Sequence, residues 1–285
     1  MNRHRLHVAA SLVVALSALL VGLTPVEVAA TPYPDEPVEA AEQLAGEIVE
    51  AEDPAVAVAK LRMLRRFEAM VPRERYLELL ERTASRSDSP MVAFRLRRRA
   101  ATVRLDLGDE SHGIDAMEGP LGEQGCLTDW SIVGPFDNDT MQGFDRRLGP
   151  EAGEEGPYEG KMTEVDWREV PDLHRFCALG LGRTMRPTTS AVAYLAGSVE
   201  VDRAREARLL VGAAGAYRVW VNGEPVARQK NNLGLAFDNQ AWRVDLEAGK
   251  NRVLVKLASR SSGRLAFTAR LVDPKLEPLA DLEMT

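Results

Sequence analysis

Two patterns of apolar residues divide the chain into a helical part and a strand-rich part. Within residues 37–107, apolar side chains recur three or four positions apart, for example at Val92, Leu96 and Ala100, which puts them on one face of a helix. From Ser190 onward, apolar and polar residues alternate, as on strands with one buried face. The sequence therefore predicts an α+β protein in which helices precede an antiparallel β-sandwich.

Prolines mark the expected starts of the helices. A proline suits the first helical turn because its missing N–H would be unpaired there in any case. The starts lie about 18 residues apart, so helix pairs repeat at about 35 residues, close to the tetratricopeptide period, although the residue signature of that repeat is poorly matched. We expect two helical hairpins beginning at Pro37, Pro54, Pro72 and Pro90.

The clearest strand signal surrounds a tight hairpin. Tyr217, Val219 and Val221 share one face of the predicted strand, and Trp220 takes the other. The Asn222-Gly223 pair that follows supplies the two positive φ angles that such a hairpin needs. Several short alternating strands without intervening helices indicate an antiparallel sandwich rather than a parallel sheet.

The N-terminus has the pattern of a secretory signal. Arg3 and Arg5 precede an apolar run from Val8 to Leu23, and small residues lead to a cleavage point after Ala30. We expect an exported, periplasmic or extracellular protein with no membrane span after cleavage; an uncleaved anchor is the alternative. The predicted organisation is a signal peptide at 1–30, a linker at 31–36, a helical region at 37–108, a linker at 109–124, the sandwich at 125–275 and a tail at 276–285.

The charge of the chain argues against nucleic acid as a partner. Its formal net charge is −7, and removal of the signal makes it about −8. One predicted helix nevertheless carries Arg95, Arg97, Arg98, Arg99 and Arg104. Because these arginines spread around the helix, we interpret them as a solvated face, with an anion site as the alternative.

The chain has two cysteines, Cys126 and Cys177. In an oxidising compartment they predict a disulfide that closes a loop of about 50 residues. The alternative is that each is a small buried apolar residue.

Two segments carry a resemblance to known families. YRVWVNGEPVA, from Tyr217, with FDNQAWRVDLEAGKNRVLVKLA, from Phe237, resembles the galactose-binding-like jelly roll of carbohydrate-binding modules and of accessory domains in glycoside hydrolases. W-x-x-x-GPFDN, GFD and PE, between Trp130 and Glu151, are similar to a segment of large exported bacterial proteins that join helical repeats to such a sandwich. The resemblance implies ligands on loops at one end, and a structural calcium ion in some members.

A polar stretch contains the candidate metal ligands. Asp137, Asp139 and Asp145 offer the oxygen atoms that calcium prefers, so a structural calcium ion is the one cofactor we consider. The alternative is a turn, since Asp and Asn side chains bind nearby backbone N–H groups.

The candidate ligand-binding residues lie on and after the hairpin. Trp220, which faces away from its apolar neighbours, is a possible platform for a sugar ring; the alternative is burial on both faces of a central strand. Arg228, Asn231 and Asn232 form a polar loop with donors for hydroxyl or carboxylate groups, or simply a solvated loop.

The sequence gives little support for catalysis. A His174–Cys177 dyad is weak without a recognisable nucleophile elbow, and the G-x-S-x-G, zinc-protease and phosphate-loop motifs are absent from the sequence. We therefore expect a non-catalytic exported module that binds a glycan or another envelope component. A structural spacer or protein-docking domain is the first alternative, and a hydrolase the second.

Overall fold

The structure is a computed structural model. It describes residues 37–109, 112, 124–170, 177–231, 234–260, 265–279 and 281–284. The predicted signal peptide, the linker at 31–36 and Asn232 lie outside the described residues. Within the described residues, no helix has the length and apolar character needed to cross a membrane.

Within residues 37–109, four helices precede the strands, as predicted. They are α1 (Pro37–Val49), α2 (Pro54–Leu64), α3 (Arg73–Arg86) and α4 (Pro90–Asp106), with a 3₁₀ turn at Arg65–Ala69 between α2 and α3. Three of the four prolines begin a helix, and Pro72 directly precedes α3. The side chain of Asp53 caps α2 by accepting a hydrogen bond from the N–H of Ala55 at 2.8 Å.

The helices pack as two hairpins around one apolar core. Helix α1 packs against α2, and α3 against α4. Ile48, Leu64, Tyr76, Leu80 and Leu96 are all buried in this core. These residues recur at helical spacing, so burial of one face of each helix accounts for the hairpins.

The rest of the described chain forms an antiparallel sandwich, which confirms the predicted fold class. Its major strands are β1 (Ser131–Asp137), β6 (Ala191–Val201), β7 (Arg205–Ala214), β8 (Ala216–Val221), β9 (Glu224–Gln229), β10 (Gln240–Leu246), β11 (Gly249–Ala258) and β12 (Ala266–Val272). Short strands are β2 (Tyr158–Glu159), β3 (Glu164–Val165), β4 (Arg168–Glu169), β5 (Leu179–Gly180) and β13 (Glu283–Met284).

Two sheets face each other across the main core. The seven-stranded sheet has the order β4-β1-β6-β11-β8-β9, with β13 paired to β6, and the four-stranded sheet has the order β10-β7-β12-β5. Alternation decides which side chains enter the core: Tyr217, Val219 and Val221 point inward, and Trp220 points outward. Asn222 and Gly223 form the hairpin between β8 and β9 with φ angles of 52° and 85°.

Each sheet has an outer face that is covered over part of its area. Helix α4 covers the four-stranded sheet, where Phe94 contacts Phe237 and packs with the disulfide between Cys126 and Cys177. The seven-stranded sheet is covered by residues 138–167, which include the short helices α5 (Gln142–Asp145) and α6 (Gly149–Ala152) and the β2–β3 hairpin.

Candidate functional site

The polar stretch after β1 forms a structural corner. The amide of Asn138 is buried; it donates to the carbonyl of Ser259 at 2.8 Å and accepts from the N–H of Phe144 at 3.0 Å. A Cβ atom at Gly143 would lie 2.2 Å from the carbonyl oxygen of Asp137, so this position requires glycine. Much of the GPFDN and GFD pattern is therefore explained by how the chain turns over the sheet.

The three candidate calcium ligands do not converge on one centre. Asp137 and Asp139 both pair with Lys161, at 2.9 and 3.5 Å. Asp145 instead pairs with cations from the neighbouring strands. The described part of the chain contains no group of three or more histidine, cysteine, aspartate or glutamate side chains that could hold a metal ion. Ion pairs thus give all three acids partners within the protein, and the structural calcium ion stays a prediction.

Asp145 ties the corner to β8 and β9. Its carboxylate lies 3.0 Å from the guanidinium of Arg218, 3.0 Å from that of Arg228 and 2.6 Å from the ammonium of Lys230. Hydrogen bonds from Lys230 and Arg228 lower the pKa of Asp145 to about 2. The candidate ligand residue Arg228 therefore already pairs with an internal carboxylate, which it shares with Arg218 and Lys230.

Asn231 lies just beyond this cluster. It is exposed, and its N–H donates to the side chain of Gln229 at 3.2 Å. Its amide group faces solvent without a described partner, which agrees with the solvated-loop interpretation and leaves the amide accessible to a ligand.

The strand register aligns Trp220 with a row of outward side chains. Across the seven-stranded sheet, Glu169 pairs with Ser131, Ser131 with Ala196, Ala196 with Leu254, and Leu254 with Trp220. Trp220 is half-buried, so the sequence-based placement of this side chain on the outer face is correct. The row borders the part of the sheet that residues 138–167 cover, since Leu254 packs against the cluster beneath them.

Trp220 differs from the other three tryptophans in its hydrogen bonding. The indole N–H of Trp130 donates to a backbone carbonyl at 2.9 Å, and those of Trp167 and Trp242 donate to tyrosine hydroxyl groups at 3.2 and 3.0 Å. Among the described residues, Trp220 has no such acceptor. It therefore presents both an aromatic surface and an unused donor.

A shallow cleft continues the row away from Trp220. It has a volume of about 340 Å³ and is lined by Asp129, Ser131, Glu169, Ala196, Gly197, Ser198 and Arg252. Trp220 lies two strands from Ala196, roughly 10 Å away at the usual strand spacing. The surface thus combines an aromatic side chain with hydroxyl, carboxylate and guanidinium groups, which we call the Trp220 face (Asp129, Ser131, Glu169, Ser198, Trp220, Arg252 and Leu254).

The neighbouring part of the same sheet is closed by a buried ion pair. Lys256 points outward from β11, yet its side chain is fully buried and pairs with Glu151 of α6. Its ammonium also donates to the carbonyl of Arg146 at 2.7 Å, and Glu151 accepts from Tyr194. Burial lowers the pKa of Lys256. This cluster fixes α6 on the sheet and sets the edge of the Trp220 face.

Sequence reasoning found Trp220 but missed its neighbours. Arg252 carried a usable signal, because it alternates with the inward Val253 and Val255. Ser131 and Glu169 carried none, because their place in the same row as Trp220 depends on the order of five strands, β4-β1-β6-β11-β8.

Comparisons with known proteins give weak likenesses. Neither a protein-family model nor a curated protein matches the chain. Among solved structures, it is similar to a β-glucosidase from Kluyveromyces marxianus, with 13% identity over 50% of this chain and 16% of that one, and a TM-score of 0.33.

Two smaller solved structures are similar to part of the chain. One is a family 35 carbohydrate binding module from Clostridium thermocellum, 18% identical over 34% of this chain and 87% of that one, with a TM-score of 0.23. The other is the PA14 domain of the MpAFP antifreeze protein, 21% identical over 30% and 44%, with a TM-score of 0.26. These TM-scores are low, so a functional proposal must rest on the geometry of the chain itself.

Proposed function

We propose that the protein is a non-catalytic exported module that binds a glycan on the Trp220 face. The observation that carries the proposal is the outward, half-buried Trp220, whose indole N–H has no acceptor among the described residues, in register with a polar cleft. An aromatic side chain packs against the C–H face of a sugar ring, while nearby hydroxyl, carboxylate and guanidinium groups exchange hydrogen bonds with the sugar hydroxyls.

The dimensions of the surface suit an extended ligand. Trp220 and the cleft lie roughly 10 Å apart along one row of the sheet, with Leu254 between them. A ligand of two or more sugar units would reach from the aromatic ring to the cleft beside Ala196, and a longer one would extend towards Glu169, four strands from Trp220. The galactose-binding-like resemblance agrees with a sugar ligand, but we place the ligand on the sheet face rather than on the end loops.

The disulfide supports export. Cys126 and Cys177 are joined, with their Cα atoms 5.6 Å apart, and such bonds persist mainly in oxidising compartments. Counting thiols in the denatured, unreduced protein tests this support: we expect none, and two reactive thiols would remove it.

The function is tested by retention on polysaccharides. We expect the purified chain to bind at least one of xylan, mannan, β-glucan or chitin, and Trp220→Ala to weaken that binding at least about tenfold, because loss of a central aromatic anchor commonly costs 2 kcal/mol or more. Trp242→Phe, on the other sheet, is the control and should bind as the wild type does.

The proposal fails under either of two results. Folded wild-type protein that is retained on none of these polymers would favour the structural or docking role instead. Equal losses in Trp220→Ala and Trp242→Phe would show that binding does not occur at the Trp220 face.

A further inference from the structure

A second cleft lies between the helices and the sandwich, on the side of the molecule away from Trp220. It has a volume of about 440 Å³ and is bounded by α2, α3 and α4 on one side and by the segment before β10 on the other. This volume falls within the range of small-molecule sites. Five arginines are among its lining residues, and we call it the arginine cleft after them: Arg62, Arg65, Arg95, Arg98 and Arg99.

Helical spacing brings these arginines together. Arg95, Arg98 and Arg99 lie three and four positions apart on α4, so they share a face. Arg62, near the end of α2, and Arg65, which follows α2, line the same cleft. The expectation of a solvated arginine face on α4 is therefore wrong for these three residues.

The other two arginines of the group are not part of the cleft: one is exposed to solvent and the other is paired with acids. Arg97 is exposed and does not line the cleft. Arg104 pairs with Glu81 and with Asp109, the latter at 3.0 Å. Only Arg95, Arg98 and Arg99 of this group therefore line the cleft.

The cleft is rich in positive charge. Its described lining contains five arginines and no acidic residue. Asp238, behind the lining, pairs with Arg95 at 2.9 Å but also with the fully buried Arg270 at 3.3 Å. Glu68 pairs with Arg99. Asp238 and Glu68 therefore pair with three of the guanidinium groups in and behind this wall, those of Arg95, Arg99 and Arg270.

Several donors in the wall are unused. The Nε atoms of Arg95 and Arg99 are buried and have no hydrogen-bond partner among the described residues. Buried donors without acceptors are costly, so the hydrogen bonding of this wall is incomplete without a ligand.

Burial and repulsion between neighbouring guanidinium groups both lower the pKa values of arginines in the cleft. Burial, with the nearby charges of Arg65, Arg99 and Arg95, lowers the pKa of Arg98 to about 10. The pKa of Arg95 is also lowered, first by burial and then by Arg62. Arginine stays protonated in proteins at neutral pH, so both charges persist.

One wall of the cleft is aromatic. The guanidinium of Arg98 stacks on the ring of Phe237, 4.2 Å from its centroid, and Tyr76 and Leu61 add apolar surface. A ligand that fits therefore needs a carbon framework as well as charge.

We propose that the arginine cleft binds a small organic anion bearing two or more carboxylate or phosphate groups. Paired guanidinium forks recognise both group types through two parallel hydrogen bonds. This site goes beyond the proposed glycan function, because it is separate from the Trp220 face and would persist if that face bound nothing.

Calorimetric titration of the purified chain at low ionic strength tests the proposal with three probes. Galacturonic acid trimer supplies carboxylates, fructose 1,6-bisphosphate supplies phosphates on a carbon framework, and cellotriose is a neutral control of similar size to the trimer. We expect saturable binding of at least one anion and none of cellotriose at this site. Which anion binds more tightly identifies the source of the charge.

Matched variants locate the binding. Arg65→Gln, at an exposed position, and Arg98→Gln should each weaken the preferred anion at least about tenfold. Arg97→Gln removes the same charge from the adjacent, exposed position and should change affinity less than about twofold. Thermal unfolding without ligand checks that each variant is folded, and Arg65→Gln keeps the test valid if Arg98→Gln is unstable.

Two outcomes would overturn the proposal. One is the absence of saturable binding of either anion to the folded wild type. The other is an equal effect of Arg97→Gln and Arg65→Gln, which would mean diffuse attraction to surface charge, screened away by salt. Loss of anion binding with polysaccharide retention intact would separate the two sites.

Discussion

On both outer faces of the sandwich, an outward-pointing cation is buried and paired with a carboxylate. The face of the seven-stranded sheet also has a partly exposed row, the one around Trp220. On the four-stranded sheet, Arg270 is fully buried under α4 and pairs with Asp238. On the seven-stranded sheet, Lys256 is fully buried under α6 and pairs with Glu151. Beyond Lys256, however, the second face continues into the half-exposed row around Trp220.

This comparison shows that alternation alone does not decide what a sheet exposes. The same period of two places Arg270, Lys256 and Trp220 on outer faces. Covering segments then bury the first two and supply each with a carboxylate, since an unpaired buried charge would be expensive. Trp220 is left open, and an aromatic side chain tolerates that position at little cost. The open part of a covered face is therefore the natural place to look for a binding surface.

The largest expected effect comes from breaking the ion cluster under α4. Asp238→Asn should destabilise the protein by about 5 kcal/mol, at the upper end of values for a buried pair, because both Arg95 and Arg270 lose their carboxylate. Chemical denaturation gives the free energy of unfolding. Asp245→Asn, at an exposed ion pair, is the control and should change it by less than about 0.5 kcal/mol. Similar values for both variants would mean that α4 is not held by this cluster.

The ion pair on the other face should matter less. Glu151→Gln removes the charge opposite Lys256, but an amide oxygen can still accept from the lysine and from Tyr194, so we expect a loss of about 3 kcal/mol. A loss no greater than that of Asp245→Asn would contradict the burial of this pair.

The pH dependence of the free energy of unfolding of Glu151→Gln tests whether Lys256 is the source of the lost stability. Burial lowers the pKa of Lys256 from 10.5, so the folded state binds this proton less tightly than the unfolded chain. Stability therefore rises with pH between the folded pKa and 10.5. The variant lowers that pKa further, so it should regain part of its lost stability as pH approaches 10.5, and more than the wild type gains. A parallel pair of curves would rule out Lys256 as the source.

The smallest effect is expected at the edge of the Trp220 face. The side chain of Asp145 is 44% exposed, so solvent screens its three ion pairs and Asp145→Asn should cost less than about 1 kcal/mol. Its pKa is lowered from 3.8 to about 2, so this contribution is present above 3.8 and is lost as pH falls through about 2. Subtracting acid-unfolding curves of variant and wild type measures it. A loss that persists unchanged below pH 2 would point to packing instead of charge.

Much of the fold follows from local pattern. The starts of α2 and α4, the β8–β9 hairpin and the inward positions of Tyr217 and Val219 all depend on residues close in the sequence. Helical and strand periods, with proline and Asn-Gly signals, are enough to predict such features.

The environments of outward residues do not follow from local pattern. Lys256 has the position of a solvated lysine, but its partner Glu151 lies 105 residues earlier. The spread of the α4 arginines around the helix favours a solvated face, but it carries no information on Phe237 and Asp238, which close the cleft from the other half of the chain. The candidate site was found only as far as Trp220, whose orientation is local, and not where it depends on strand order.

The central claim is that Trp220, on the open part of a partly covered face, is the tryptophan that meets a ligand. NMR spectra of the nitrogen-15-labelled protein test it directly, because each of the four tryptophans gives one indole N–H signal and Trp220→Phe identifies that of Trp220. On titration with a soluble form of the retained polysaccharide, we predict that the Trp220 signal shifts most and that the signals of Trp130 and Trp242, already hydrogen-bonded inside the protein, stay in place. A shift confined to those buried tryptophans, or binding without any change at Trp220, would contradict the account.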